Sequence, residues 1–209
     1  GTCATGDCGS GQVECLGAGA APPATLAEFT LDGSGGKDFY DVSLVDGYNL
    51  PMMVEGSGGS GDCRSTGCTG DLSRRCPEEL RDGGACRSAC GAFGSPEYCC
   101  TGEYGSPGAC KPTAYSLAFK AACPRSYSYA YDDATSTFTC TGADYSITFC
   151  PSSSPGKEGT AAAEQAVVRG RTWLSNLAAG GAAAGIRRSG IRLALLAVVV
   201  SVWLLPVRC

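Results

Sequence analysis

Thr25-Leu26-Ala27-Glu28-Phe29-Thr30-Leu31, Asp32-Gly33-Ser34-Gly35-Gly36-Lys37 and Asp38-Phe39-Tyr40-Asp41-Val42-Ser43-Leu44-Val45 follow one another without interruption. Two short runs of β-branched and aromatic residues flank a polar, Gly-rich loop, which is the pattern of a β-hairpin. Pairing Leu31 with Asp38 across the loop sets Phe29 opposite Tyr40 and Glu28 opposite Asp41. Directly opposed residues have Cβ atoms about 4.5–5.5 Å apart, and like charges there are destabilising. A fold that keeps them therefore has another use for them, and one of the two carboxyls should hold its proton to a raised pH. The plainer alternative is a pair of solvated strand charges, or a register shifted by two. Asp46 would point to the other face of an unbroken strand, but Gly47 permits a bend that brings it round.

Further strands are expected at Ser136–Thr139 and Tyr145–Phe149, where aromatic and β-branched residues alternate with Ser and Thr. The best helix candidate is Pro112–Cys123, with Tyr115, Phe119 and Cys123 at four-residue steps. The fold class is therefore mainly β, with a loop-rich region over residues 63–123 that has too few apolar residues to hold itself together without covalent staples.

Those staples are cysteines. The chain of 209 residues has 15 Cys, 31 Gly and no His. So many thiols fit a disulfide scaffold in an oxidising compartment. Zinc fits poorly, because there is no Cys-x-x-Cys and no His, and no metal or other cofactor is expected. The absence of His also removes Ser-His-Asp and Cys-His catalysis, which leaves carboxylates as the groups able to do chemistry.

Charge and cysteine both divide the chain near Pro151. Residues 1–151 hold fourteen of the cysteines, with nine basic and eighteen acidic side chains, whereas residues 152–209 hold seven basic and two acidic ones. A net charge of about −9 on the first part argues against nucleic acid as its partner. Residues 152–192 read as a Ser/Pro/Ala/Gly-rich linker, and 193–209 as a hydrophobic C-terminal segment. Leu193–Val207 is short for a bilayer core that needs about 20 residues. Small residues at Gly180, Gly181 and Ala182, a spacer and this apolar block match the layout of a cleaved lipid-anchor signal. A transmembrane anchor and an extension without membrane role are the alternatives. No export signal is visible at Gly1, so it has been removed or the start of the protein is absent.

Cys3-Ala4-Thr5-Gly6-Asp7-Cys8-Gly9, with Gly11 and Cys15, resembles the signature of the thaumatin-like and osmotin-like (pathogenesis-related) proteins. Pro22–Phe29, Asp38–Met52, Glu97-Tyr98-Cys99-Cys100, and Cys123-Pro124 through Thr137-Phe138-Thr139-Cys140 to Phe149-Cys150-Pro151 resemble that family in the same order. The match spans residues 1–151 and leaves out the tail. It implies a β-sandwich, a disulfide-rich loop and helix domain over it, and an acidic cleft between them, here lacking the N-terminal part of the domain. Glu28 matches the family's cleft Glu, Asp41 and Asp46 match two of its Asp, and the third falls on Asp132 or Asp133. The family's cleft Arg precedes the signature and has no counterpart. The family pairing, carried across by order, implies disulfides Cys8–Cys15, Cys63–Cys140, Cys68–Cys123, Cys76–Cys86, Cys90–Cys99 and Cys100–Cys110. It leaves Cys3 and Cys150 as half-bridges and Cys209 unpaired.

The resemblance implies a secreted, apoplastic plant defence protein with antifungal activity that binds β-1,3-glucan of fungal walls through the acidic cleft, with Phe93, Tyr98 and Tyr115 flanking it. A GPI anchor would add the plasma membrane as a partner. The first alternative is a weak endo-β-1,3-glucanase, with Glu28 or Asp41 as general acid and another carboxylate as nucleophile or base. The second is an inhibitor of pathogen hydrolases.

Overall fold

A computed structural model describes residues 1–151 of the chain. The linker, the hydrophobic segment with its expected anchor signal, and Cys209 lie outside the described residues. Among the described residues no helix is long and apolar enough to cross a membrane.

The hairpin forms in the expected register. Strand β1 (Leu26–Thr30) runs antiparallel to β2 (Asp38–Ser43), with Phe29 opposite Tyr40 and Glu28 opposite Asp41. In chain order there follow β3 (Met52–Ser57), β4 (Thr66–Cys68), the small ribbon β5 (Arg81–Asp82) and β6 (Ala85–Cys86), then β7 (Phe138–Cys140) and β8 (Asp144–Phe149). They make two three-stranded antiparallel sheets, ordered β1-β2-β7 and β4-β3-β8.

Period-two alternation sends Tyr40 and Val42 of β2, Met52 and Val54 of β3, and Phe138 and Cys140 of β7 into one shared core between the sheets. Val42 and Val54 are fully buried there. From the opposite sheet Tyr145 packs its ring 5.2 Å from both Phe29 and Tyr40 and donates its hydroxyl to Asp38 Oδ2 at 2.8 Å. The two layers are thus joined by apolar contact and by one charge-assisted hydrogen bond, which is the β-sandwich the sequence implied.

A second core gathers Leu44, Tyr48, Leu72, Leu80 and Phe119 with the buried cysteines 68, 76, 86 and 123. This is the disulfide-rich region, carrying the short helices α1 (Ala89–Phe93) and α2 (Pro96–Cys99) and the longer α3 (Ala114–Ala122). The expected helix from Pro112 to Cys123 is shorter at both ends. Thr113 caps it by accepting from Ser116 N, and Ser116 Oγ accepts in return from Thr113 N, a reciprocal arrangement that fixes the start one residue past Thr113. Gly47, at φ 97°, turns the chain from the first core into the second. A Cβ there would lie 2.7 Å from both the Cys86 carbonyl and Pro23 Cβ, so only glycine fits the turn.

Six disulfides close the described domain: Cys8–Cys15, Cys63–Cys140, Cys68–Cys123, Cys76–Cys86, Cys90–Cys99 and Cys100–Cys110. They join the same residues as the family pairing. Cys3 is free and exposed. Cys150 corrects the sequence expectation, because it is disulfide-bonded. Pairing by family order allows each cysteine one partner only, whereas a thiol bonds any cysteine whose Cα comes within reach, about 4.4–6.8 Å.

One strand begins later than expected. Asp133–Ser136 forms the single helical turn α4, and β7 starts at Phe138. The turn is held by the Asp132 side chain, which accepts from Ser128 N, Ser128 Oγ and Thr135 Oγ1. Such local bonds compete with an extended chain.

Candidate functional site

Tyr40 and Val42 point into the sandwich, so Asp41 between them points out, and Glu28 lies opposite it on the same face. Glu28 is exposed and Asp41 half-buried. Asp41 Oδ2 is wholly enclosed and finds no donor as a carboxylate. A proton resolves this, because a protonated carboxyl becomes a donor, and the neighbour within hydrogen-bond reach is Glu28. Burial first, then repulsion from Glu28, the hydrogen bond with Glu28, and repulsion from Asp133 push Asp41 up to about 8. Asp41 therefore keeps its proton through the neutral range.

The remaining wall of this group comes from the segment that runs beside β2. Tyr127 pairs its backbone with β2, accepting from Leu44 N and donating to Val42 O, each at 2.9 Å. Its hydroxyl donates to Asp133 Oδ1 at 3.0 Å and contacts Thr137 Oγ1. Burial and the charges of Asp133 and Asp41 hold the Tyr127 phenol protonated far above neutral pH.

The sequence left Asp132 and Asp133 undecided, and the structure separates them. Asp133 is exposed and acts on Asp41. Asp132 is turned into the protein, where it meets the Lys120 ammonium at 2.9 Å. Asp46 sits exposed in the turn after β2, its carbonyl accepting from Ala24 N. Glu28 and Asp133, not Asp46, are the carboxylates that act on Asp41.

The three expected aromatics do come together. Phe93, Tyr98 and Tyr115, from α1, α2 and α3, have ring centroids 5.3–5.7 Å apart, and Phe93 remains 45% exposed. A small cavity beside them is lined by Tyr98, Tyr115, Phe119, Val45, Ser128 and Tyr129. Tyr129 connects it to the carboxyls, since burial and then Asp132 and Asp133 raise its phenol pKa. Among the described residues no three His, Cys, Asp or Glu side chains are grouped to hold a metal ion.

Sequence reasoning missed Tyr127, Tyr129 and Lys120. The first two carry a signal, because Ser126-Tyr127-Ser128-Tyr129-Ala130-Tyr131 alternates aromatic and small residues. Lys120 carries none beyond its place next to Phe119 in a helix.

The family profile described as "Thaumatin family" matches residues 1–151. A protein of Arabidopsis thaliana named thaumatin-like protein 1 is 71% identical over 161 residues, covering 73% of this chain and 62% of its own length. Pathogenesis-related thaumatin-like protein 3.5 of Cryptomeria japonica is 62% identical, with coverages of 73% and 64%. A Prunus avium protein named glucan endo-1,3-beta-glucosidase is 57% identical, with coverages of 71% and 64%. The chain therefore spans less than two thirds of the length of these relatives. With its signature, its sandwich, its six disulfides and these matches, the chain belongs to the thaumatin family.

Proposed function

We propose that this chain carries the ligand-facing surface of a secreted plant defence protein that binds β-1,3-glucan of fungal cell walls. The observation that carries this is the protonated Asp41 opposite the exposed Glu28, with Tyr127 paired beside β2 and the next residues, Ser128 and Tyr129, lining the aromatic cavity. A neutral sugar polymer offers hydroxyls that donate to Glu28 and Asp133 and apolar ring faces that stack on aromatics. The names of the pathogenesis-related relatives support the defence role, and the name of the Prunus avium relative supports β-1,3-glucan as the polymer.

The same geometry disfavours the glucanase alternative for this pair. Retaining glycosidases hold their two carboxyls about 5–5.5 Å apart and inverting ones about 6.5–9.5 Å, with the glycosidic bond between them. Asp41 and Glu28 stand directly opposite each other on paired strands, and Asp41 holds its proton through the neutral range, so it has no charge with which to act as nucleophile or base. Asp41 also keeps one oxygen fully enclosed, out of reach of a leaving group.

Calorimetric titration with laminarin, alongside analysis of reducing ends, tests this. The natural chain binds without releasing sugar, and Glu28→Gln weakens binding. Sugar release that is lost in both Glu28→Gln and Asp41→Asn would overturn binding in favour of hydrolysis. Affinity for a fungal hydrolase with none for laminarin would favour the inhibitor.

A further inference from the structure

Lys120 lies in α3 with its side chain only 21% exposed, and Asp132 is 11% exposed. The ammonium has three N–H donors and uses them all. It donates to Asp132 Oδ2 at 2.9 Å, to Ser136 Oγ at 2.7 Å and to the Ser126 carbonyl at 3.0 Å. Ser136 in turn donates to that same carbonyl at 3.2 Å. These three acceptors bracket the segment that carries Tyr127 and Asp133. Ser126 lies just before Tyr127, Asp132 just before Asp133, and Ser136 ends α4.

The bonds also cross a structural divide. α3 belongs to the core stapled by Cys68–Cys123 and Cys76–Cys86, while α4 leads into β7 of the sandwich. Burial pulls the Lys120 pKa down and Asp132 opposes that pull, as expected for a cation kept inside by its partner.

We propose that Lys120 is the positioning residue of the carboxyl cluster: by gathering Asp132, Ser136 and the Ser126 carbonyl on one ammonium, it fixes α4 so that Asp133 is held on the Tyr127 hydroxyl, beside the strand that carries Asp41. The groups facing Asp41 are Glu28 on β1, Asp133 on α4 and Tyr127 beside β2. Lys120 is not among the groups acting directly on Asp41, so its influence passes through the position of Asp133. The affinity part of the test rests on the cluster facing glucan; the titration part does not.

The test is a carbon-13 carboxyl titration of Asp41 in the full chain. Lys120→Met alone would leave Asp132 charged and buried, so the main variant is Lys120→Met with Asp132→Asn, which is neutral in net charge. Asp132→Asn alone is the milder second variant, and near-ultraviolet circular dichroism shows first that each is folded. In the natural sequence, Asp133→Asn lowers the Asp41 midpoint by about one unit, a tenfold change in proton affinity. Lys120→Met/Asp132→Asn lowers it similarly, Asp132→Asn lowers it less, and adding Asp133→Asn to the double variant moves it no further. A merely structural lysine would lower the melting temperature and leave the midpoint in place.

An equal drop on Asp133→Asn with and without Lys120 would overturn the proposal, as would an Asp41 midpoint that ignores Asp133 altogether. Laminarin affinity falls along with the midpoint. If the natural chain does not bind laminarin, the glucan function fails while the titration still decides the role of Lys120.

Discussion

Asp41→Asn should change how the stability of this domain depends on pH. In an unfolded chain the Asp41 carboxyl ionises near its ordinary 3.8, whereas in the fold burial, Glu28 and Asp133 push it up to about 8. Between those two values the folded state holds one proton more than the unfolded state. Stability from this group is therefore fully present below about pH 4 and is lost as pH rises through about 8. The loss is at most about 1.4 kcal/mol per pH unit, so raising the pH from 5 to 7 costs about 2–3 kcal/mol. Asn keeps the shape and stays neutral, so it removes this loss. Urea denaturation at each pH, followed by circular dichroism, reads the difference between the two proteins. The variant should gain about 2–3 kcal/mol on the natural chain between pH 5 and 7, with the gain levelling off above 8. With no His in the chain, few other groups titrate in that window. Parallel stability curves across it would refute the proton held on Asp41.

Three further outcomes follow from the fold. Tyr145→Phe removes the hydroxyl that binds Asp38 at 2.8 Å between the sheets, and should cost about 1.5–3 kcal/mol by urea denaturation. Replacing both Cys63 and Cys140 by Ala opens a bridge across 77 residues, while replacing Cys90 and Cys99 opens one across 9. With Cys68–Cys123 intact the first closes a loop of only about 23 residues, so loop closure gives about 3.4 kcal/mol for the first and about 2.6 for the second, which thermal melts of the two variants in parallel would rank. Phe119→Ala, emptying a buried site under α3, should cost about 3–5 kcal/mol in the same assay.

The hairpin is legible in the sequence because its two runs alternate around a Gly-rich loop, and of the registers that pattern allows the fold adopts the one that sets Glu28 against Asp41. β3 is not, although Met52 and Val54 share a face, because the alternation stops at Gly56 after too few residues to stand out from a loop. The disulfide pairs come from family likeness alone, since spacing cannot choose among the many pairings of fourteen cysteines. That likeness left Cys150 as a half-bridge, whereas it is disulfide-bonded. Asp132 and Asp133 are neighbours in sequence, and what separates them is Lys120, which reaches Asp132 only once α3 has packed. Local pattern thus carries the hairpin and the opposed carboxyls, while the assignment of each carboxyl to ligand or scaffold needs contacts between distant segments.

The central claim is that a proton held on Asp41, opposite Glu28, shapes a glucan-binding surface. Its most direct test is the laminarin dissociation constant of the natural chain and of Asp41→Asn from pH 5 to 9. The natural chain should hold its affinity up to about pH 8 and then lose it as a second charge forces the two carboxyls apart. Asp41→Asn should show no such loss. Affinity that is absent, or that falls identically in both proteins, would contradict the claim.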